Sequence, residues 1–181
     1  MRLVLLNGPP AVGKSTLARR YVADNPLALC LDIDEIRCRL GQWDSHPQSN
    51  PLARTLGLQM ARAHLANGYR VVVPQLLLRT EFIDELAGAA AEAQVPFTEV
   101  VLLAPTLEDA IVRFQQTQNA LAASGIPHPR QAVADEIEAI SVSYERLSSL
   151  AKQRPQAKVL CTSYGDIEGS YRSLRRMIEG K

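Results

Sequence analysis

The sequence has few cysteines, almost no excess charge of either sign and no long apolar run, and each shortage argues against a class of protein. There are three cysteines and no Cys-x-x-Cys pair, which argues against both a disulfide framework and a zinc cage. We therefore expect reduced thiols in a cytoplasmic protein. The 20 basic and 19 acidic residues leave a formal net charge of +1, without the basic excess of a duplex-binding protein. No apolar run approaches the roughly 20 residues that cross a bilayer.

Short apolar runs alternate with longer segments of helical spacing. The runs predicted as buried strands are Leu3–Leu6, Leu27–Leu31, Val71–Val73, Val100–Leu103 and Val159–Cys161. The segments predicted as helices are 14–24, 33–40, 52–67, 79–93, 106–123 and 131–151. This alternation predicts an α/β protein with a mainly parallel sheet, helices on both faces, and ligands at the carboxyl ends of the strands.

Two polar segments interrupt this alternation, and nothing in the sequence indicates a second domain. The interruptions are Gly41–Asn50 and Ala122–Arg130, which we predict to be mobile excursions. There is no internal repeat and no low-complexity tract. We expect residues 1–181 to form one domain, since this length is enough for a continuous core.

The glycine-rich segment after the first predicted strand has the spacing G-x-x-x-x-G-K-S. Its residues are Gly8, Pro9, Pro10, Ala11, Val12, Gly13, Lys14 and Ser15, and Thr16 leads into a predicted helix. In this context the backbone wraps around phosphate oxygens, the helix N-terminus favours the anion, and Lys14 reaches the β and γ oxygens. Ser15 is predicted to coordinate Mg²⁺ through its hydroxyl oxygen. The segment predicts binding of ATP with Mg²⁺; a glycine turn that binds nothing is the alternative.

Two aspartates follow the second predicted strand directly. Asp32 and Asp34 should therefore lie at the edge of the sheet that faces the bound phosphates. One carboxylate there can hold Mg²⁺ or its waters, and the other can accept or orient the proton of an attacking hydroxyl. We assign Asp32 to the metal, Asp34 to the base, and Arg37 to a substrate anion or the transferring phosphoryl group. In the alternative, Asp32 caps a helix while Glu35 and Arg37 lie on a solvated surface.

These residues resemble those of the small P-loop kinases related to polynucleotide kinase, zeta toxin, shikimate and gluconate kinases, and chloramphenicol phosphotransferase. The likeness covers most of the chain. Its carriers are the motif Gly8–Ser15, the pattern Asp-x-Asp-x-x-Arg at Asp32–Arg37, and the segment Val101–Arg113. The resemblance implies a three-layer P-loop NTPase fold with a five-stranded parallel sheet. It also implies that the strand before the P-loop is central, that a helical lid covers about residues 114–131, and that Asp34 acts on a substrate hydroxyl.

The third predicted strand departs from the pattern of many P-loop proteins, which carry a magnesium-linked Asp at its end. Here the strand ends in Pro74 and Gln75. Asp32 is then the metal-side carboxylate, and the Gln75 amide is placed to hydrogen-bond a substrate. The alternative for Gln75 is a plain strand-end residue.

The lid has few arginines. In the resembling kinases, an arginine at the position of Arg113 commonly reaches the phosphates or base of the nucleotide; the alternative is a surface helix residue. Arg130 is the only basic residue between Arg113 and Arg146. Either Arg130 enters the site when the lid closes, or Lys14, Arg37, Arg113 and Mg²⁺ handle the transition-state charge.

Together these features predict an ATP-dependent phosphotransferase that moves the γ-phosphate to a hydroxyl. A small metabolite or antibiotic is the preferred acceptor, because the chain is short and nearly neutral. A 5′-hydroxyl of RNA or DNA is the first alternative, which a strong salt dependence of acceptor binding would favour. A nucleotide-dependent switch that acts on a protein partner is the second. The pair Asp34 and Arg37 argues against a switch, which needs no base for an alcohol.

Overall fold

Five parallel strands form the centre of the protein in a computed structural model that describes residues 1–124 and 136–180. The strands are β1 Leu3–Asn7, β2 Leu29–Cys30, β3 Val71–Gln75, β4 Phe97–Leu103 and β5 Lys158–Cys161. Their order in the sheet is β2-β3-β1-β4-β5, with every neighbouring pair parallel. The strand before the glycine-rich loop is therefore central, as the resemblance implied.

Helices connect the strands and cover both faces of the sheet. They are α1 Lys14–Ala23, α2 Ile33–Arg37, α3 Ser49–Ala66, α4 Glu81–Glu92, α5 Leu107–Ser124, α6 Glu136–Gln153 and α7 Ile167–Glu179. Alternate residues of β1 point to opposite faces, so Leu3 and Leu5 pack with α3 and α4, and Val4 and Leu6 pack with α1 and α7. The predicted three-layer α/β architecture is confirmed.

Helix α7 was not among the helices predicted from the sequence. The carboxylate of Asp166 caps it by accepting from the Gly169 N–H at 2.8 Å. Tyr171, Leu174 and Ile178 form its buried stripe, which is a helical spacing that the sequence does contain. The Tyr171 hydroxyl donates to Asp24 of the neighbouring α1 segment at 2.9 Å. Burial and this bond raise the pKa of Tyr171 to about 12, so the phenol keeps its proton at neutral pH.

The excursion predicted for Ala122–Arg130 begins too early. Residues 122–124 continue helix α5, and this part of the prediction is wrong. Ser49 and Asn50 likewise belong to α3 and not to a loop. Residues 114–124 of the predicted lid are the second half of α5, whereas 125–131, with Arg130, lie outside the described residues.

Strand β3 contains Pro74, beyond the reach of β2. The Leu31 N–H donates to the Val72 carbonyl at 2.8 Å, so the backbone groups of Val72 face β2. Pro74 lies two residues later and faces the same side, since backbone groups alternate along a parallel strand. Proline has no N–H to donate. The pairing of β2 with β3 stops before Pro74, and the chain turns away at Asp32 into α2.

Among the residues that the structure describes, no helix is both long enough and apolar enough to cross a membrane.

Candidate phosphate-binding site

The loop between β1 and α1 is curled by two residues in the left-handed region. Ala11 has φ 61° and Gly13 has φ 99°. Glycine adopts this conformation freely, whereas for alanine it is a strained one that the surrounding structure must hold in place. The loop is therefore a fixed curve, and its residues Gly13, Lys14 and Ser15 are only half-buried.

The N-terminus of α1 is open to an anion. Its N-cap residue is Gly13, which supplies no side-chain cap, and its first turn contains no acidic residue. The N–H groups of the first turn and the helix dipole therefore favour negative charge there. The Lys14 Nζ donates to the Gly8 and Pro9 carbonyl oxygens at 2.8 and 2.7 Å, which places its ammonium group over the loop.

Gly8 is required by a close approach to β4. A Cβ at this position would lie 2.7 Å from the Leu102 carbonyl oxygen and 2.9 Å from Val12 Cγ1. The backbone oxygen cannot give way as a flexible side chain can. The loop thus rests directly on the neighbouring strand.

We expect Gly8→Ala to lower the free energy of unfolding by about 1–3 kcal/mol, because the added methyl group overpacks this contact. Gly88→Ala is the matched control, since a Cβ there has no atom within 4 Å and Gly88 lies inside α4. That substitution should instead stabilise by about 1 kcal/mol. Urea unfolding of both variants measures the difference, and equal shifts would contradict the close approach at Gly8.

Asn7, the last residue of β1, ties the start of the loop to the chain after β3. It is fully buried, its amide Nδ2 donates to the Leu77 carbonyl at 2.9 Å, and its Oδ1 accepts from the Leu77 N–H at 2.9 Å. Asn7 was not predicted as a site residue. A polar side chain at the end of an otherwise apolar strand was the available signal.

Gln75 lies beside Asn7 in the register of β1 and β3. Its Oε1 is buried and has no hydrogen-bond partner among the described residues. Buried polar atoms are nearly always paired, so this oxygen is a candidate acceptor for a ligand donor. The predicted substrate contact of Gln75 stays a prediction.

Asp32 and Asp34 stand at the start of α2, at the same edge of the sheet. Asp32 is 4% exposed, and its Oδ1 accepts from the Asp34 N–H at 3.2 Å, so it caps the helix as the alternative held. Asp34 is half-buried, and no side-chain hydrogen bond or ion pair of its carboxylate is present in the described part of the chain.

Arg37 is bound to the polar segment that follows α2. Its Nε donates to the Ser49 Oγ at 3.1 Å, its Nη2 donates to the Trp43 carbonyl at 3.1 Å, and its guanidinium lies 5.1 Å from the centroid of the Trp43 ring. Arg37 is half-buried and bonded within the protein. The alternative, which placed it on a solvated surface, does not describe it. It fixes the Trp43 segment beside α2.

Arg113 is also buried, with 6% of its surface exposed, so the alternative of a surface helix residue is wrong. Its Nη1 donates to the Thr162 Oγ1 at 3.0 Å, and its Nη2 donates to the Thr162 carbonyl at 2.7 Å. The Tyr164 ring centroid lies 6.0 Å from the guanidinium carbon. Thr162, which follows β5, was not predicted as a site residue, because its partner is distant in the sequence.

The Mg²⁺ prediction rests on few protein ligands. The described residues contain no group of three or more His, Cys, Asp or Glu side chains that could hold a metal. A polar cavity of about 400 Å³ lies elsewhere, along β5 and α7, and includes no residue of the loop or of α2. The loop is the candidate site, because the helix N-terminus there favours an anion.

Comparisons with known proteins agree with this fold. A family model described as an AAA domain matches residues 3–147. A sequence comparison with curated proteins gives no match.

Solved structures show the same fold at low sequence identity. The tunicamycin resistance protein of Deinococcus radiodurans is 17% identical with a TM-score of 0.62, over 98% of this chain and 95% of that one. A proposed kinase from Chloroflexus aurantiacus is 14% identical with a TM-score of 0.67, over 97% of each chain. A chain of the Pnkp1/Rnl/Hen1 RNA repair complex is 16% identical with a TM-score of 0.68, over 84% of this chain and 45% of that one. The chain belongs to the AAA-domain family and has the fold of the small P-loop kinase group.

Proposed function

We propose that this protein is an ATP- and Mg²⁺-dependent phosphotransferase that moves the γ-phosphate to a hydroxyl of a small molecule. The proposal rests on one edge of the sheet, where a loop that favours a phosphate lies on the same side as a carboxylate that can take a proton. A curled loop with an open helix N-terminus and Lys14 offers positive charge. The carboxylate of Asp34, on the same edge, makes no bond to a described residue.

The loop fits the phosphates of ATP by its local chemistry. A Cβ at Gly13 would meet nothing within 4 Å, so the backbone there borders open space. The Lys14 ammonium lies on two backbone carbonyls of the loop, and a phosphate oxygen is a stronger partner for it because that bond joins opposite charges. We infer that residues Gly8 to Thr16 bind the nucleotide.

Ser15 and Asp32 fit Mg²⁺ in the way this ion is usually held in nucleotide sites. Mg²⁺ takes few protein ligands there and completes its coordination with phosphate oxygens and water. Ser15 follows Lys14 in the first turn of α1, and the Asp32 carboxylate is buried just after β2, which β3 separates from β1. When bound, Mg²⁺ neutralises developing charge on the phosphate oxygens.

Asp34 would act as the base. As the acceptor oxygen forms a bond to the γ-phosphorus, the bond from this phosphorus to the bridging oxygen breaks and ADP leaves. The acceptor proton passes to the Asp34 carboxylate. Lys14 would hold the phosphate that receives the charge, and Arg37 would add positive charge beside the acceptor.

A small acceptor is favoured by two features. The formal net charge of +1 lacks the basic excess that binds a polynucleotide backbone. Trp43, held by Arg37 through its carbonyl and its ring, lines the region beside α2 and offers an apolar surface to a compact ligand.

The decisive experiment measures ADP formation from ATP and Mg²⁺ with a panel of acceptors. The panel contains hydroxyl-bearing metabolites, antibiotics including tunicamycin, and 5′-hydroxyl oligonucleotides. We expect stimulation by one class of small molecule, with the phosphorylated acceptor identified by mass spectrometry.

Other outcomes separate the alternatives. Stimulation by oligonucleotides alone, weakened steeply by salt, would establish a polynucleotide 5′-hydroxyl kinase instead. Slow ADP release that no acceptor changes, together with ATP-dependent capture of a protein partner, would establish a switch.

A further inference from the structure

We propose that Thr162 is a positioning residue that aims the Gly13 N–H of the phosphate loop, and that Arg113 acts through Thr162. This inference rests on the proposed ATP binding and goes beyond it, because it assigns a function to a residue that does not belong to the loop.

Thr162 joins three parts of the protein that are distant in the sequence. It is 3% exposed, and its N–H donates to the Leu103 carbonyl at 2.9 Å, which fixes its backbone to the end of β4. Its Oγ1 lies 3.3 Å from the Val12 carbonyl oxygen and 3.4 Å from that of Leu103. Arg113 donates to the same Oγ1 at 3.0 Å.

The roles of donor and acceptor follow from the groups present. A guanidinium only donates, so the Thr162 oxygen accepts from Arg113. The hydroxyl has one proton, and the carbonyls of Val12 and Leu103 are its two acceptors. A hydrogen bond from a charged donor polarises the hydroxyl and strengthens the bond that it donates. The buried charge of Arg113 thus acts on the Val12 carbonyl without touching it.

The Val12 carbonyl belongs to the same peptide group as the Gly13 N–H. A trans peptide is planar, so its C=O and N–H point in opposite directions. A carbonyl directed at Thr162 therefore turns the Gly13 N–H away from Thr162. No hydrogen bond from this N–H to another described residue is present. It is one of the donors that a loop of this kind offers to phosphate.

This arrangement also explains why two left-handed residues can flank Val12. Ala11 and Gly13 have φ of 61° and 99°, and a strained conformation such as that of Ala11 persists only where the surrounding structure holds it. The Thr162 hydroxyl is such a contact. Without it, the peptide group can rotate, and the N–H loses its fixed direction.

The test is isothermal titration of ATP and of adenosine into wild type and Thr162→Val, which keeps the side-chain shape and removes the hydroxyl. We expect ATP to bind about tenfold more weakly to Thr162→Val. Adenosine, which has no phosphate, should bind with unchanged affinity. Thr162→Ser restores the hydroxyl and should recover ATP affinity. Ser163→Ala, at the exposed neighbouring position, is the control and should behave as wild type.

A merely structural role would give a different result. Partial unfolding lowers the measured number of binding sites and leaves the dissociation constant of the folded fraction unchanged. Equal ATP affinity of wild type and Thr162→Val, or equal weakening of ATP and adenosine, would overturn the inference. If wild type itself does not bind ATP, the proposed function fails and this inference fails with it.

A double-mutant cycle tests the role of Arg113. We expect Arg113→Met and Thr162→Val together to weaken ATP binding no more than the more severe single variant, because both remove the same contact. If the double variant weakens ATP binding by the product of the two single effects, Arg113 reaches the nucleotide independently of Thr162. That part of the inference would then be wrong.

Discussion

Lys14→Ala should lower kcat/KM for ATP by about 10²–10³-fold, through loss of a preorganised positive charge at the phosphates. The loop and the helix N-terminus keep their backbone N–H groups, so a weak affinity for phosphate remains. Titration calorimetry with ATP measures the loss of affinity, and the initial rate of ADP formation measures the loss of turnover. The thermal unfolding midpoint should change little, because the ammonium group contacts backbone oxygens at the surface of a half-buried loop.

Lys152→Ala is the control for this substitution. Lys152 is exposed in the last turn of α6, so its removal changes the net charge by the same amount without touching the loop. We expect normal ATP binding in this variant. Normal ATP binding and turnover in Lys14→Ala would show that the loop is not the phosphate site.

Asp34→Asn should leave ATP affinity within about a factor of two of wild type and reduce transfer to the acceptor by about 10²–10⁴-fold. The amide has nearly the shape of the carboxylate but cannot take the hydroxyl proton at neutral pH. Because the helix N-terminus is capped by Asp32 and not by the Asp34 side chain, α2 should stay folded. Single-turnover measurement of the phosphorylated acceptor isolates this step from product release.

Glu35→Gln gives the matched comparison. Glu35 is the next residue of the same helix, carries the same charge, and is exposed. Its substitution should leave transfer intact, so a loss confined to Asp34→Asn identifies the base. Normal transfer in Asp34→Asn would exclude Asp34 from this role.

The sequence predicts the elements that are continuous in the chain and have a strong local pattern. The strand, glycine-rich loop and helix from Leu3 to Ala23 were placed within a residue or two, because apolar run, motif and helical spacing follow one another. The position of Asp32 directly after β2 was predicted for the same reason. Helix α7 was not predicted, although the helical spacing of its buried residues is present in the sequence.

The surroundings of the arginines could not be predicted from local patterns. Helical spacing is compatible with an exposed Arg113, which was the alternative for this residue. Its burial depends on Thr162, which lies 49 positions away in the sequence. Arg37 is bound by Trp43 and Ser49, and that contact depends on how the segment after α2 folds back. Such contacts follow from the arrangement of elements in the sheet, which periodicity does not encode.

Pro74 sets a covalent limit on how far β2 can pair with β3. The donor that could extend their pairing is absent from the covalent chain, on the side that faces β2. Neither pH nor ionic strength nor a bound ligand can supply it. The pairing of β2 with β3 therefore cannot be extended through Pro74, and Asp32 stands outside it, at the start of α2.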